Sequence, residues 1–148
     1  MVCLGNICRS PLAEGILSHK LTERNLNWIV DSAGTSAFHQ GEKPDARSIA
    51  VALENNIDIN FQRSRPFLKE DLNFYDLILV MDQENYNNVL ALSENVDQRN
   101  KVKMILNYSF PNQNKAVPDP YYHGGFDHVF QLLDDACEKV LESLVNLD

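Results

Sequence analysis

Cys3, Arg9 and the five residues between them are the part of this chain best suited to chemistry. The segment reads Cys3-Leu4-Gly5-Asn6-Ile7-Cys8-Arg9-Ser10-Pro11. A loop of that length can wrap its backbone N–H groups around one tetrahedral anion. Gly5 is expected to supply the unusual backbone angles such a nest requires. A helix opening near Ser10, with Pro11 in its first turn, adds a positive N-terminal end. Arg9 brings a planar fork that binds two phosphate oxygens. All of these favour Cys3 as the thiolate, the nucleophilic form of the side chain. A bare Cys-x5-Arg spacing arises by chance in roughly one chain in eight at this composition, so the specificity lies in Gly5, Asn6, Ser10 and Pro11 at a strand-to-helix turn. The competing use of Cys3, a buried inert thiol, does not explain those offsets. Ser10 suits either a helix N-cap or a hydroxyl that donates to the Cys3 thiolate as it leaves. Asn6 suits either a bridge that shapes the loop or a simple turn residue.

A second constellation lies near the C-terminus, at Val117-Pro118-Asp119-Pro120-Tyr121-Tyr122. A phenolate leaving group has a pKa of about 10 and departs far better when protonated. Asp119 between two prolines is a rigidly held acid for that step. Tyr121 and Tyr122 are suited to wall a substrate ring.

These residues need a scaffold, and the chain alternates β-like and helical runs. Helices are expected over 11–26, over 45–55 with Asp45 as cap, over 83–92 and over 126–147. The last carries Phe126, Val129, Phe130, Leu133, Cys137, Val140 and Leu144 on one stripe. Strands are expected over 27–33, over the continuous apolar run 75–81 and over 101–106. The alternation predicts an α/β fold: an open parallel sheet with helices on both faces, and the anion loop at the first strand-to-helix turn. Only Met1 and Val2 precede Cys3, so the first strand reads as truncated, too short for a central strand. Either residues upstream of this sequence complete the strand, or the loop is expected to be less well anchored. Cys137 is expected in the core, and Asp31 and Asp82 in caps and internal hydrogen bonds.

The chain has 148 residues and a net charge of −8, which fits one domain over 1–148 and argues against nucleic acid as a partner. No apolar run approaches the roughly 20 residues of a membrane span. Three cysteines make no disulfide framework, and none pairs at the spacing of a structural zinc site. The expected setting is cytoplasmic, with no membrane partner, no metal and no cofactor.

The sequence resembles the low-molecular-weight protein tyrosine phosphatases over nearly its whole length. The likeness rests on Cys3 to Pro11, Ala13-Glu14, Asp31-Ser32-Ala33-Gly34-Thr35, Pro44-Asp45-Ala46-Arg47, Met81-Asp82 with Asn85, and Asp119 to Tyr122. It implies a four-stranded parallel sheet with helices on both sides. It also implies a phosphocysteine formed at Cys3, with Arg9 and the amides of Leu4, Gly5, Asn6, Ile7 and Cys8 on the phosphoryl oxygens. Asp119 would act as acid and then base, while Asn6, Ser10 and Ser32 would support the loop and the thiolate. Cys8 resembles the neighbour that pairs with the nucleophile under oxidation. Phe38, Tyr121 and Tyr122 fall where the family's substrate rim lies. The implied partner is a phosphotyrosine protein, bound by a monomer or weak homodimer. Two departures stand out. Phe61 and Gln62 occupy the place of a histidine that braces the loop in many members, and the stretch 122–126 is short.

Other uses of the same loop fit less well. Thioredoxin-coupled arsenate reduction needs relay cysteines, and none lies between Cys8 and Cys137. Phosphoarginine hydrolysis favours a threonine where Ile7 stands. A phosphate-binding domain without turnover has no need of Cys3, Arg9 and Asp119 together.

Overall fold

A computed structural model describes residues 1–146. The elements are β1 (Val2–Cys3), α1 (Arg9–Glu23), β2 (Ala33–Gly34), α2 (Ala46–Glu54), α3 (Asp71–Phe74), β3 (Ile78–Val80), α4 (Gln83–Leu90), α5 (Val96–Asn100), β4 (Val102–Met104) and α6 (Phe126–Val145). The four strands are all parallel and lie in the order β2-β1-β3-β4. The α/β architecture expected from the alternation is therefore the one observed. The final helix ends at Val145, and the part of its predicted range at Leu147 lies outside the described residues.

Alternate residues of each strand feed opposite faces of the sheet, as strand geometry requires. Cys3, Leu79 and Met81 join Leu12, Ile16, Leu133, Cys137 and Val140 in a core under α1, α2 and α6. Val2, Ile78, Val80, Val102 and Met104 join Leu72 and Val89 in a second core on the other face. The apolar run 75–81 is thus buried on both sides, although only three of its residues form ladder. Cys137 is fully buried in the first core, as expected.

β1 has only two residues, yet it is bonded on both flanks. The Met81 N–H donates to the Val2 carbonyl at 3.1 Å, and the Thr35 and Ser36 N–H groups donate to the carbonyls of Cys3 and Leu4 at 2.9 Å. The amino terminus itself donates to the Asp31 carbonyl at 3.0 Å. The anchorage expected to be weak is supplied by these neighbours rather than by strand length.

The strand expected over 27–33 shrinks to Ala33–Gly34. Only Ala33 and Gly34 pair with β1, opposite Val2 and Cys3, and the residues before them lie outside the ladder. Asn27 to Ser32 instead flank an apolar cavity of about 660 Å³, shared with Phe67, Phe74 and Tyr75. It opens at the N-terminal ends of the strands, away from Cys3. Two short helices, α3 and α5, escaped the sequence reading because each is too brief to show a period.

Candidate active site

Cys3 ends β1 and is 3% exposed. The loop then turns through Asn6, whose φ of 56° lies in the left-handed region. Asparagine tolerates that region, so Asn6 supplies the angle expected of Gly5. Gly5 serves a different need, because a Cβ there would come within 3.1 Å of the His39 ring.

The Asn6 side chain organises the sulfur's surroundings. Its Oδ1 accepts the Arg65 N–H at 3.0 Å, which leaves Nδ2 as donor to Ser10 Oγ at 2.8 Å and Ser32 Oγ at 3.0 Å. Ser10 Oγ accepts from Asn6, so its own proton is available to Cys3 Sγ, 3.0 Å away. The Asn6 N–H points at the same sulfur at 3.3 Å. The N-cap alternative for Ser10 is corrected: α1 begins at Arg9, two residues before the expected start, and Cys8 holds the cap position without a side-chain bond. Asn6 is a bridge, not merely a turn residue.

Donors outside the loop take its carbonyls. Ser36 N–H bonds Leu4, Ser64 Oγ bonds Gly5 at 3.1 Å, Asp45 N–H bonds Ile7 at 2.8 Å and Ser48 Oγ bonds Cys8 at 3.3 Å. The acceptors thus face away from the nest. Gln62, buried at the place of the missing histidine, donates to the Pro11 carbonyl at 3.1 Å, while Phe61 is exposed. Bracing of the loop therefore falls to Ser64, Arg65 and Gln62.

Arg9 opens α1 and is 3% exposed. Its Nη1 donates to Asp82 Oδ2 at 2.7 Å and to the Val117 carbonyl at 3.0 Å, and Nη2 lies 3.6 Å from Asp119 Oδ2. A buried guanidinium needs such partners. Asp82 also caps α4 through the Asn85 N–H at 2.8 Å. The capping role was legible in the sequence and the tie to Arg9 was not, since the two residues are far apart along the chain. Asp31 serves internal bonds as expected, with the Ser32 N–H, Arg65 and the Tyr75 hydroxyl.

Asp119 stands on an exposed loop whose start is fixed to β3: the Val117 N–H donates to the Met81 carbonyl at 2.8 Å. Its carboxylate accepts the Tyr121 N–H at 3.1 Å. Around the mouth, Phe38 and Tyr122 are more than four-fifths exposed and Tyr121 about a third. His39 joins the two sides, edge-on to Phe38 with centroids 4.8 Å apart and 6.3 Å from the Tyr121 ring. Sequence reasoning missed His39, and nothing in its local pattern marks it.

Burial, with Asp45 nearby, pushes the Cys8 thiol up to about 12. Beneath the loop, burial pushes Glu14 up to about 7 against a bond from Ser32. No helix among the described residues is long and apolar enough to cross a membrane.

A sulfur under two donors, at the head of a loop that ends in a buried arginine, suits phosphoryl transfer to cysteine, the chemistry of cysteine-dependent phosphatases. Comparison with known proteins narrows the class. The family model for low molecular weight phosphotyrosine protein phosphatase matches residues 1–147, and the chain belongs to that family. The Synechocystis protein slr0328 is 45% identical over 147 residues, covering 97% of this chain and 93% of its own length. The structure of YfkJ from Bacillus subtilis superposes with a TM-score of 0.92 at 33% identity, covering 99% of this chain and 93% of that one. A protein tyrosine phosphatase from Entamoeba histolytica gives 0.91 at 35% identity, covering 98% and 94%.

Proposed function

We propose that this chain hydrolyses phosphotyrosine in proteins, and simple aryl phosphates, through a phosphocysteine at Cys3. Cys3 Sγ attacks phosphorus and forms the S–P bond as the P–O bond to the aryl group breaks. Asp119 gives its proton to the departing phenolic oxygen. Arg9 and the amides of Leu4 to Arg9 hold the three remaining oxygens as charge shifts among them. Asp119, now a carboxylate, takes a proton from water. The water oxygen bonds to phosphorus, and the S–P bond breaks to return the thiolate. The observation that carries this reading is the pair of donors on Cys3 Sγ, from Asn6 N–H and Ser10 Oγ. A leaving thiolate needs such donors, and a merely buried thiol has no use for them. Phe38, Tyr121 and Tyr122 form the rim for the substrate ring.

Ile7 offers no hydroxyl to a guanidinium and suits a flat phenyl ring. With metal chelated, p-nitrophenyl phosphate is expected to turn over at least about 100-fold faster than phosphoarginine at equal concentration. Equal rates, or preference for phosphoarginine, would overturn the tyrosine reading. Hydrolysis of neither by a folded protein that still binds phosphate would overturn the enzyme reading.

The same loop supports a redox brake. Peroxide oxidises Cys3 to the sulfenic acid, and Cys8, whose burial keeps the thiol protonated, gives its proton to the departing hydroxyl as the disulfide forms and water leaves. Wild type inactivated by peroxide is expected to recover most of its activity in dithiothreitol. The Cys8→Ala protein should recover less than about a tenth as it passes to the sulfinic acid. Equal recovery in the two would remove Cys8 from the scheme. The three cysteines are unpaired, which suits a reducing cytoplasm. The working unit is one domain acting as a monomer or weak homodimer.

A further inference from the structure

We propose that Arg47 is a positioning residue for the acid, holding the Asp119 loop against the N-terminus of α2. This rests on Asp119 as the general acid. Arg47 is itself fixed from two sides. Its Nε and Nη2 donate to the two Asp45 carboxylate oxygens at 3.0 and 2.9 Å, and its N–H donates to the same carboxylate at 2.9 Å as the cap of α2. Its guanidinium carbon lies 4.6 Å from the Phe126 ring centre and 5.7 Å from that of Tyr121. With the fork so held, Nη2 has one further acceptor, the Tyr121 carbonyl at 3.1 Å.

These bonds join the two catalytic segments through one residue pair. The Ile7 carbonyl of the anion loop accepts the Asp45 N–H at 2.8 Å. Asp45 holds Arg47, Arg47 holds the Tyr121 carbonyl, and the Tyr121 N–H holds the Asp119 carboxylate at 3.1 Å. The distance between nucleophile and acid is thereby referred to the end of α2, in addition to the Val117 bonds that hold the start of the acid segment.

The acid loop needs such a tie. Asp119 is exposed, and beyond Tyr121 the chain runs through Gly124 and Gly125, both left-handed with φ of 78° and 85° and both open to solvent. The prolines on either side of Asp119 fix its local backbone and the Val117 bonds fix the start of the loop, which leaves the side beyond Asp119 to be held. An exposed ion pair alone contributes little to stability, so the consequence of the Arg47–Asp45 fork lies in geometry. Misplacing an acid by about 1 Å costs rate without costing fold.

The test uses Arg47→Met, which keeps the stem and loses the fork, and Arg47→Lys, which keeps the charge. Acid catalysis matters most for poor leaving groups. In Arg47→Met, kcat on phenyl phosphate should fall about 10- to 30-fold, while kcat on p-nitrophenyl phosphate falls less than about 3-fold. Arg47→Lys should lie between Arg47→Met and wild type. Inhibition by inorganic phosphate, which reports the nest alone, should stay within about twofold of wild type. In an Asp119→Ala background, Arg47→Met should cost nothing further. Equal losses on both esters, or an undiminished loss without Asp119, would overturn the proposal, as would wild-type rates in Arg47→Met. Asp119→Ala alone separates the two levels: if it shows no dependence on leaving group, the acid assignment fails first. Should Arg47→Met not fold, Arg47→Lys carries the same comparison.

Discussion

Cys3→Ser is expected to fold, to bind inorganic phosphate, and to hydrolyse p-nitrophenyl phosphate about 10⁴-fold more slowly than wild type or worse. The substitution removes one atom's worth of polarisability and little else, at a site that is 3% exposed. Ser10 Oγ and the Asn6 N–H still find an acceptor there. What disappears is the sulfur nucleophile, and a serine hydroxyl without a base attacks far less readily. Even if an ester formed, oxygen would leave phosphorus less readily than sulfur. Steady-state rates with phosphate inhibition as a folding control check the prediction, and residual activity within tenfold of wild type would dismiss Cys3 as nucleophile.

Asp119→Ala should produce the second largest loss, and an uneven one. With phenyl phosphate or a phosphotyrosine peptide, kcat should drop about 10²- to 10³-fold. With p-nitrophenyl phosphate, whose phenolate is a weaker base and needs less help, the drop should be near tenfold. Stability should change little, since the side chain is 42% exposed and accepts one backbone N–H. A uniform drop across leaving groups would point to lost binding. Arg9 also lies 3.6 Å from this carboxylate, so phosphate affinity should hold or rise slightly when the negative charge goes.

The local chemistry of the site was legible because it is written in neighbouring positions. Cys3, Asn6, Arg9 and Ser10 lie within eight residues, and the Asp119 prolines flank it directly. The parallel sheet followed from alternation, its four strands from the family resemblance, and the two-sided burial of 75–81 from its unbroken apolar run. What sequence could not give are bonds made between distant segments. The Asp82–Arg9 pair, the His39 link across the rim, and the Ser64 and Arg65 braces all depend on how the sheet brings segments together. The strand over 27–33 failed for a related reason: residues of high β-propensity form ladder only beside a partner. Gly5 and Asn6 exchanged expected roles because glycine is permitted many angles and is required for few.

The sheet order has a consequence for biosynthesis. β1 precedes both of its sheet neighbours along the chain, yet it lies in the interior of the sheet between β2 and β3. It gains its second flank only when Val80 and Met81 have emerged, and Arg9 gains its Val117 acceptor later still. Contacts of such long sequence separation form slowly and late. Relative to these partners the nucleophile is therefore made earlier and assembled later. A nascent chain that ends before residue 117 carries the cysteine, the loop and Arg9 with its Asp82 partner, but neither the Val117 acceptor nor the acid.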